Sequence, residues 1–148
     1  MDHKIRVANK ADESSIRSLF IEMLKTIYDT DDVKGYDKGY LDSYWTDGED
    51  RIYVADDGRV VAYLSVEVHH DENDYIYIDD LSVTEEYRNK EIGTELIKKA
   101  ESYAREIKIP AVLFHVEKTN KDAMRLYERL GYEIFRDDNT RFLLKKDL

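Results

Sequence analysis

Val83-Thr84-Glu85-Glu86-Tyr87-Arg88-Asn89-Lys90-Glu91-Ile92-Gly93-Thr94 decides the fold: the end of an apolar strand, a charged turn, then the start of a long helix. The helix is read from Ile92, Leu96, Ile97, Ala100, Tyr103, Ala104 and Ile107, which share one face at helical spacing and are closed off by Pro110. Amides of a first helical turn lack intrahelical partners and sit at the positive end of the helix dipole. The connection can therefore receive an anion, with Arg88 and Lys90 adding positive charge.

Upstream, Arg51 to Ala55, Arg59 to His69 and Tyr75 to Val83 read as three strands. They are joined by Asp56-Asp57-Gly58, a hairpin signal, and by Asp71-Glu72-Asn73-Asp74, so an antiparallel meander is expected. Alternation sends Tyr75, Tyr77, Asp79, Leu81 and Val83 to one face. Before the meander, Ile5 to Val7 reads as a strand. Ile16, Leu19, Phe20, Met23, Leu24 and Ile27 read as a helix that starts near Asp12 and Ser14, and Asp37 to Trp45 as a short second helix.

Downstream, Ala111 to Val116 is a buried strand, and Ala123, Leu126, Tyr127 and Leu130 mark a helix stopping at Gly131. Tyr132 to Arg136 and Arg141 to Lys145 are the last strands. This order predicts an α/β fold with one mixed, mostly antiparallel sheet flanked by helices, as a single domain over residues 1–148.

Composition narrows the chemistry. With 42% hydrophobic residues, one proline and six glycines in 148 residues, the chain is expected to pack a core. The absence of cysteine excludes a disulfide framework, thiolate metal ligation and a covalent cysteine intermediate. A net charge of −10 disfavours nucleic acid and anionic membrane surfaces as partners. No apolar stretch approaches the roughly 20 residues of a membrane span, so a cytoplasmic protein is expected. His69 and His70 are neighbours on a strand and face opposite sides, and His115 is expected to be hydrogen-bonded in its strand; no metal is expected.

Two motifs resemble the GNAT family of N-acetyltransferases. Arg88, Ile92 and Gly93 fit R/Q-x-x-G-x-G/A, with Glu91 standing where the family usually has glycine. Asn120-x-x-Ala123-x-x-x-Tyr127 followed by Leu130-Gly131-Tyr132 fits the later motif N-x-x-A-x-x-x-Y-x-x-x-G-F/Y at every marked position, and its spacing predicts Ala123, Tyr127 and Gly131 on one helix line. The resemblance implies acetyl-coenzyme A as co-substrate. Arg88, Asn89, Lys90, Glu91, Ile92, Gly93 and Thr94 would hold its pyrophosphate. The backbone of Leu81, Ser82 and Val83 would pair with the pantetheine arm, in a strand that splays from its neighbour after a bulge. Asn120 and Ala123 would lie along the cofactor.

The same resemblance makes Tyr127 the donor to the departing thiolate. Tyr75-Ile76-Tyr77-Ile78-Asp79-Asp80-Leu81 resembles the corresponding strand of polyamine acetyltransferases, which points to Asp79 as base, with Glu67 next and Asp80 third. Residues 29–50 hold eight acidic residues against Lys34 and Lys38, interleaved with Tyr36, Tyr40, Tyr44 and Trp45, where the family builds its acceptor wall. Asp31, Asp32, Tyr36, Tyr40 and Asp80 are the expected contacts for a cationic amine, either a polyamine-like small molecule or a basic peptide. The alternative is a GNAT-like module that binds acyl-coenzyme A or a protein without turnover. A homodimer is expected.

Overall fold

Alternating strands and helices are what a computed structural model finds over the residues it describes, 3–31 and 39–148. Their order is β1 (Lys4–Val7), α1 (Glu13–Tyr28), β2 (Arg51–Asp56), β3 (Val60–His70), β4 (Asp74–Val83), α2 (Ile92–Glu106), β5 (Ala111–Glu117), α3 (Lys121–Arg129), β6 (Glu133–Asp138) and β7 (Arg141–Asp147). The strands form one seven-stranded sheet in the order β1-β2-β3-β4-β5-β7-β6. The β4–β5 pair is parallel, as a strand–helix–strand crossover requires. Contacts divide the chain into two compact units, Met1–Val66 with Asp80–Ala100, and Glu67–Asp79 with Glu101–Leu148.

In the first unit, β2 pairs antiparallel with both β1 and β3. Gly58 makes the hairpin turn at φ 83°, a backbone conformation that glycine adopts without a Cβ clash. Ile16, Leu19, Leu41, Ile52, Val54 and Tyr63 form the core, each aliphatic side chain contributing about 1.5–3 kcal/mol by leaving water.

Two local expectations are corrected in this unit. α1 starts where expected, with Asp12 as its N-cap, but the Asp12 side chain makes no capping bond; it accepts from the Asn9 amide at 2.9 Å, while Asn9 caps the preceding 3-10 turn Lys10–Asp12, accepting from the Ala11 amide at 2.9 Å. Asp12 also binds Arg6 through two 2.9 Å contacts, which hold its carboxyl below the usual range. The expected helix from Asp37 to Trp45 is, within the described residues, only a 3-10 turn at Asp42–Trp45, entered from Gly39 at φ 87°. Tyr44 and Trp45 pack on the core, so the aromatic spacing serves packing there.

In the second unit, β5 lies against β7, and β7 against β6, both antiparallel. Tyr75 and Tyr77 pack on Ala111, Leu113 and Leu143 on one face. From the opposite side of β5, Phe114 meets Tyr127 edge-on, with ring centres 4.7 Å apart, and also contacts Tyr132. Tyr132 is buried and donates to Glu101 at 2.8 Å; Lys146 reaches both Glu101 oxygens at 3.2 Å, so that buried carboxylate is compensated.

The helix line predicted through Gly131 ends early. Gly131 lies one residue beyond the C-cap, at φ 98°, where its amide donates to Glu128 O and the Tyr132 amide to Tyr127 O, each at 3.0 Å. Gly131 is thus a stop signal. The reversal it makes sends Tyr132 back into the core.

Candidate acetyl-transfer site

The loop that opens α2 belongs wholly to the first unit and is organised by a carboxylate from α1. Glu22 accepts from the Thr84 hydroxyl at 2.8 Å, the Glu85 amide at 3.1 Å and Arg88 at 3.2 Å. Arg88 also donates through Nε to the Val83 carbonyl at 2.9 Å. Its guanidinium is therefore a brace across the loop as well as a positive charge. Tyr87 donates to Asp57 at 2.7 Å, which raises its phenol pKa, and the Arg59 and Lys90 cations lie 5.7 and 5.5 Å from its ring centre.

The backbone of this loop is unusual where the sequence departs from the motif. Asn89 and Glu91 both adopt left-handed conformations, φ 61° and 64°. For a glutamate this costs on the order of 1 kcal/mol, which a glycine avoids. Glu91 is exposed, and its carbonyl accepts the first intrahelical bond, from the Glu95 amide at 3.0 Å. The amides of Ile92, Gly93 and Thr94 precede that bond and are left for another acceptor. A Cβ on Gly93 would meet Leu81 at 3.8 Å, an ordinary contact, so the fold itself does not demand glycine there.

In the second unit, Asn120 is the N-cap of α3, its side-chain oxygen accepting from the Ala123 amide at 3.2 Å. Its side-chain NH2 is not used by the cap. Tyr127 is half-buried, and its hydroxyl has no hydrogen-bond partner among the described residues. Burial raises its pKa, so the group stays a protonated donor.

The same unit holds a constellation that local pattern does not reveal. Tyr77 on β4 and His115 on β5 share a 2.5 Å hydrogen bond at Nδ1, and His115 Nε2 lies 2.7 Å from Asp138 on β6. Arg136 donates to both Asp138 oxygens, at 2.6 and 3.0 Å. With His115 also beside it, the carboxyl is held down to about 2. Tyr77, His115 and Arg136 line a recess of about 600 Å³ whose walls include Tyr75, Leu113, Leu143 and Phe135, and whose rim carries Asp71, Glu72, Asp74, Asp147 and Lys145.

A bulge between Ile134 and Arg136 explains how adjacent Phe135 and Arg136 both line the recess, since neighbours on a regular strand face opposite sides. His115 and Arg136 each stand opposite Leu143 in register. Period-2 spacing does place Tyr75 and Tyr77 together, and His115 with Leu113. Nothing local links either pair to Asp138.

The remaining expected residues divide. Asp79 follows Tyr77 on the same strand; its side chain keeps solvent contact yet is crowded enough that desolvation raises its pKa, against a lowering influence of Arg141. Glu67 bonds His69 at 3.2 Å, and His69 stacks on Tyr75. Asp80 has the strand parity of Ile76 and Ile78 rather than that of Tyr77, and its amide donates to Ser65 at 2.9 Å. Asp31 and Tyr40 are exposed, whereas Asp32 and Tyr36 lie outside the described residues.

Ser82 is buried and bonds the Leu19 carbonyl at 3.3 Å. The β4–β5 register comprises Ile76 opposite Val112 and Tyr77 opposite Leu113, and both strands run on past it. Among the described residues no group of three or more metal-ligating side chains converges, and no helix is long and apolar enough to cross a membrane.

Residues 18–132 match the Acetyltransferase (GNAT) family. The chain belongs to that family. It is 28% identical over 102 residues to Streptothricin acetyltransferase A of Bacillus subtilis, covering 64% of this chain and 59% of that protein. It is 46% identical over 56 residues to N-alpha-acetyltransferase 30 of Xenopus laevis, covering 38% of this chain and 20% of that protein. The chain thus spans less than two thirds of the length of either relative. Among solved structures, the PaiA N-acetyltransferase of Thermoplasma acidophilum in complex with coenzyme A has the same fold, with TM-score 0.80, 17% identity and full coverage of both chains.

Proposed function

We propose that this GNAT acetyltransferase moves the acetyl group of acetyl-coenzyme A onto the free α-amine of a basic peptide, by direct attack within a ternary complex. The hydrogen-bonded pair of Tyr77 and His115, opening on an aromatic recess with an acidic rim, carries this reading. The 46% identity to an N-alpha-acetyltransferase over 56 residues supports it. Without cysteine, no thiol is available for an acyl-enzyme, so the amine must reach the thioester itself.

An α-amine with a pKa of about 7.8 is neutral in roughly one molecule in seven at pH 7, against about one in 2,500 for a lysine-like amine near 10.4. Either must lose a proton before or during attack. In this reading the ammonium gives it to the Tyr77 oxygen as the Tyr77 proton passes to His115 Nδ1, leaving neutral amine and imidazolium. Asp79 and Glu67 draw the ammonium towards the strand rather than serving as the main base. In the first unit, the exposed Asp31 and Tyr40 would be contacts for a cationic acceptor.

The pyrophosphate lies on the amides of Ile92, Gly93 and Thr94, with Asn89 and Lys90 at its edge, and Gly93 leaves room for close approach. In the first unit Leu81 to Val83 would pair with the pantetheine arm; in the second, Ala123 and the side-chain NH2 of Asn120, which the cap leaves unused, would serve the cofactor. Tyr127 donates a hydrogen bond to the leaving thiolate. Full proton transfer from an ordinary tyrosine to a thiolate would cost about 2 kcal/mol, and burial of Tyr127 widens the gap, so donation without transfer is its role.

The test is acetyl-coenzyme A binding by calorimetry, followed by thiol release with peptides whose N-terminus is free or blocked, with spermidine and with an aminoglycoside. Release with free but not blocked basic peptides is expected. Release with spermidine alone would favour a second reading, a polyamine-like acceptor, to which the four rim carboxylates against Arg136 and Lys145 also lend support. Binding with no release from any amine would leave a non-catalytic acyl-coenzyme A module.

A further inference from the structure

We propose that Asp138, held by Arg136, is a positioning residue that decides which nitrogen of His115 carries the proton, and so keeps Nδ1 open towards Tyr77. The inference rests on the reading of Tyr77 and His115 as proton acceptor but concerns a residue outside both motifs.

Three contacts fix the argument. Asp138 meets His115 Nε2 at 2.7 Å through the same oxygen that takes Arg136 at 3.0 Å, while its other oxygen takes Arg136 Nε at 2.6 Å. A two-pronged guanidinium keeps the carboxylate ionised and rotationally fixed, and an ionised carboxylate only accepts. A neutral His115 must then carry its hydrogen on Nε2, leaving Nδ1 with a lone pair aimed at the Tyr77 hydroxyl 2.5 Å away. The other tautomer would set two acceptors against each other at Asp138, and at Tyr77 it would turn the phenol oxygen into the acceptor, so the discrimination comes from the Asp138 side.

The arrangement also serves the charged state. When Nδ1 receives the Tyr77 proton, the imidazolium donates on both sides, and its positive charge faces Asp138 at 2.7 Å. The other ionic neighbours are held elsewhere. Asp137 takes Lys118 at 2.6 Å and the Asn139 amide at 3.0 Å, and Lys145 is 3.4 Å from Asp147. Leu143, across from His115 on β7, brings no charge.

Asp138→Asn tests the assignment because its side-chain NH2 can turn towards Nε2 and favour the Nδ1–H form. With 15N-labelled histidine, the His115 signal, identified by its loss in His115→Gln, is expected as Nε2–H in the native protein. It is expected to move towards Nδ1–H in Asp138→Asn. Turnover in that variant should fall at least tenfold, with the amine KM and acetyl-coenzyme A Kd within twofold, and Asp138→Glu should recover part of it. An Nδ1–H ring in the native protein, or an unchanged tautomer in folded Asp138→Asn, overturns the proposal. If Asp138→Asn does not fold, the native spectrum and Asp138→Glu decide. Full activity in His115→Gln would instead refute the proton-acceptor reading and leave the tautomer result standing.

Discussion

Twelve consecutive residues, Val83 to Thr94, make the loop that opens α2, whereas the chain of Tyr77, His115 and Asp138 joins residues 38 and 23 positions apart. The loop is a local device: a strand end, a turn and a helix terminus supply its amides, and distant residues such as Glu22 and Asp57 only brace it. The second device exists only because four strands, β4, β5, β7 and β6, register together. A local device shows itself as a spacing motif and tolerates substitution in single side chains, since it is made of backbone groups. A device assembled across strands leaves no motif and depends on every side chain in it.

The contrast can be broken most sharply at His115. His115→Ala is expected to lower kcat/KM at least about 100-fold while acetyl-coenzyme A binding stays within twofold; near-normal turnover would remove the proton relay. Next, Tyr127→Phe should keep cofactor binding and lower turnover at least about tenfold at neutral pH, and an unaltered rate would make Tyr127 a packing residue.

On the loop's side the effects are smaller and fall on affinity. Glu22→Ala removes the acceptor of three hydrogen bonds and should weaken acetyl-coenzyme A about three- to tenfold by calorimetry, with the amine KM unchanged. Glu91→Gly removes both the left-handed strain and a carboxylate beside the proposed pyrophosphate site, and should tighten binding by about two- to fivefold; weaker binding would show that Glu91 suits the loop as it stands.

The smallest effect is on acid stability. Asp138 is lowered from 3.8 to about 2 in the folded state, so the stability it contributes is complete above about pH 4 and lost as pH falls towards 2. Thermal melts across that window should lose part of their acid slope in Asp138→Asn. An identical slope would mean that the unfolded chain holds this carboxyl just as low.

Most elements are legible from periodicity: seven strands, the long helices and the Gly58 and Gly131 turns follow from apolar spacing and glycine chemistry, to within a few residues at their ends. Among the described residues, 39–45 are where helical spacing misleads, because Tyr44 and Trp45 reach the core from a four-residue 3-10 turn. Asp12 looks like a cap, but Arg6 and the Asn9 amide use its carboxylate instead. In both cases a tertiary contact outcompetes a local preference.

The sequence by itself determined the order of strands and helices, the free amides at the start of α2, the capping asparagine of α3 and the lack of a cysteine nucleophile, because each depends on neighbours within a few residues or on composition alone. Tertiary structure alone decided that Arg88 is braced by Glu22, that Glu91 takes a left-handed conformation, and that Tyr77, His115, Asp138 and Arg136 form one chain. The physical reason is register: which side chains meet across a sheet depends on strand pairing and on one bulge in β6, neither of which is encoded at the residues that meet.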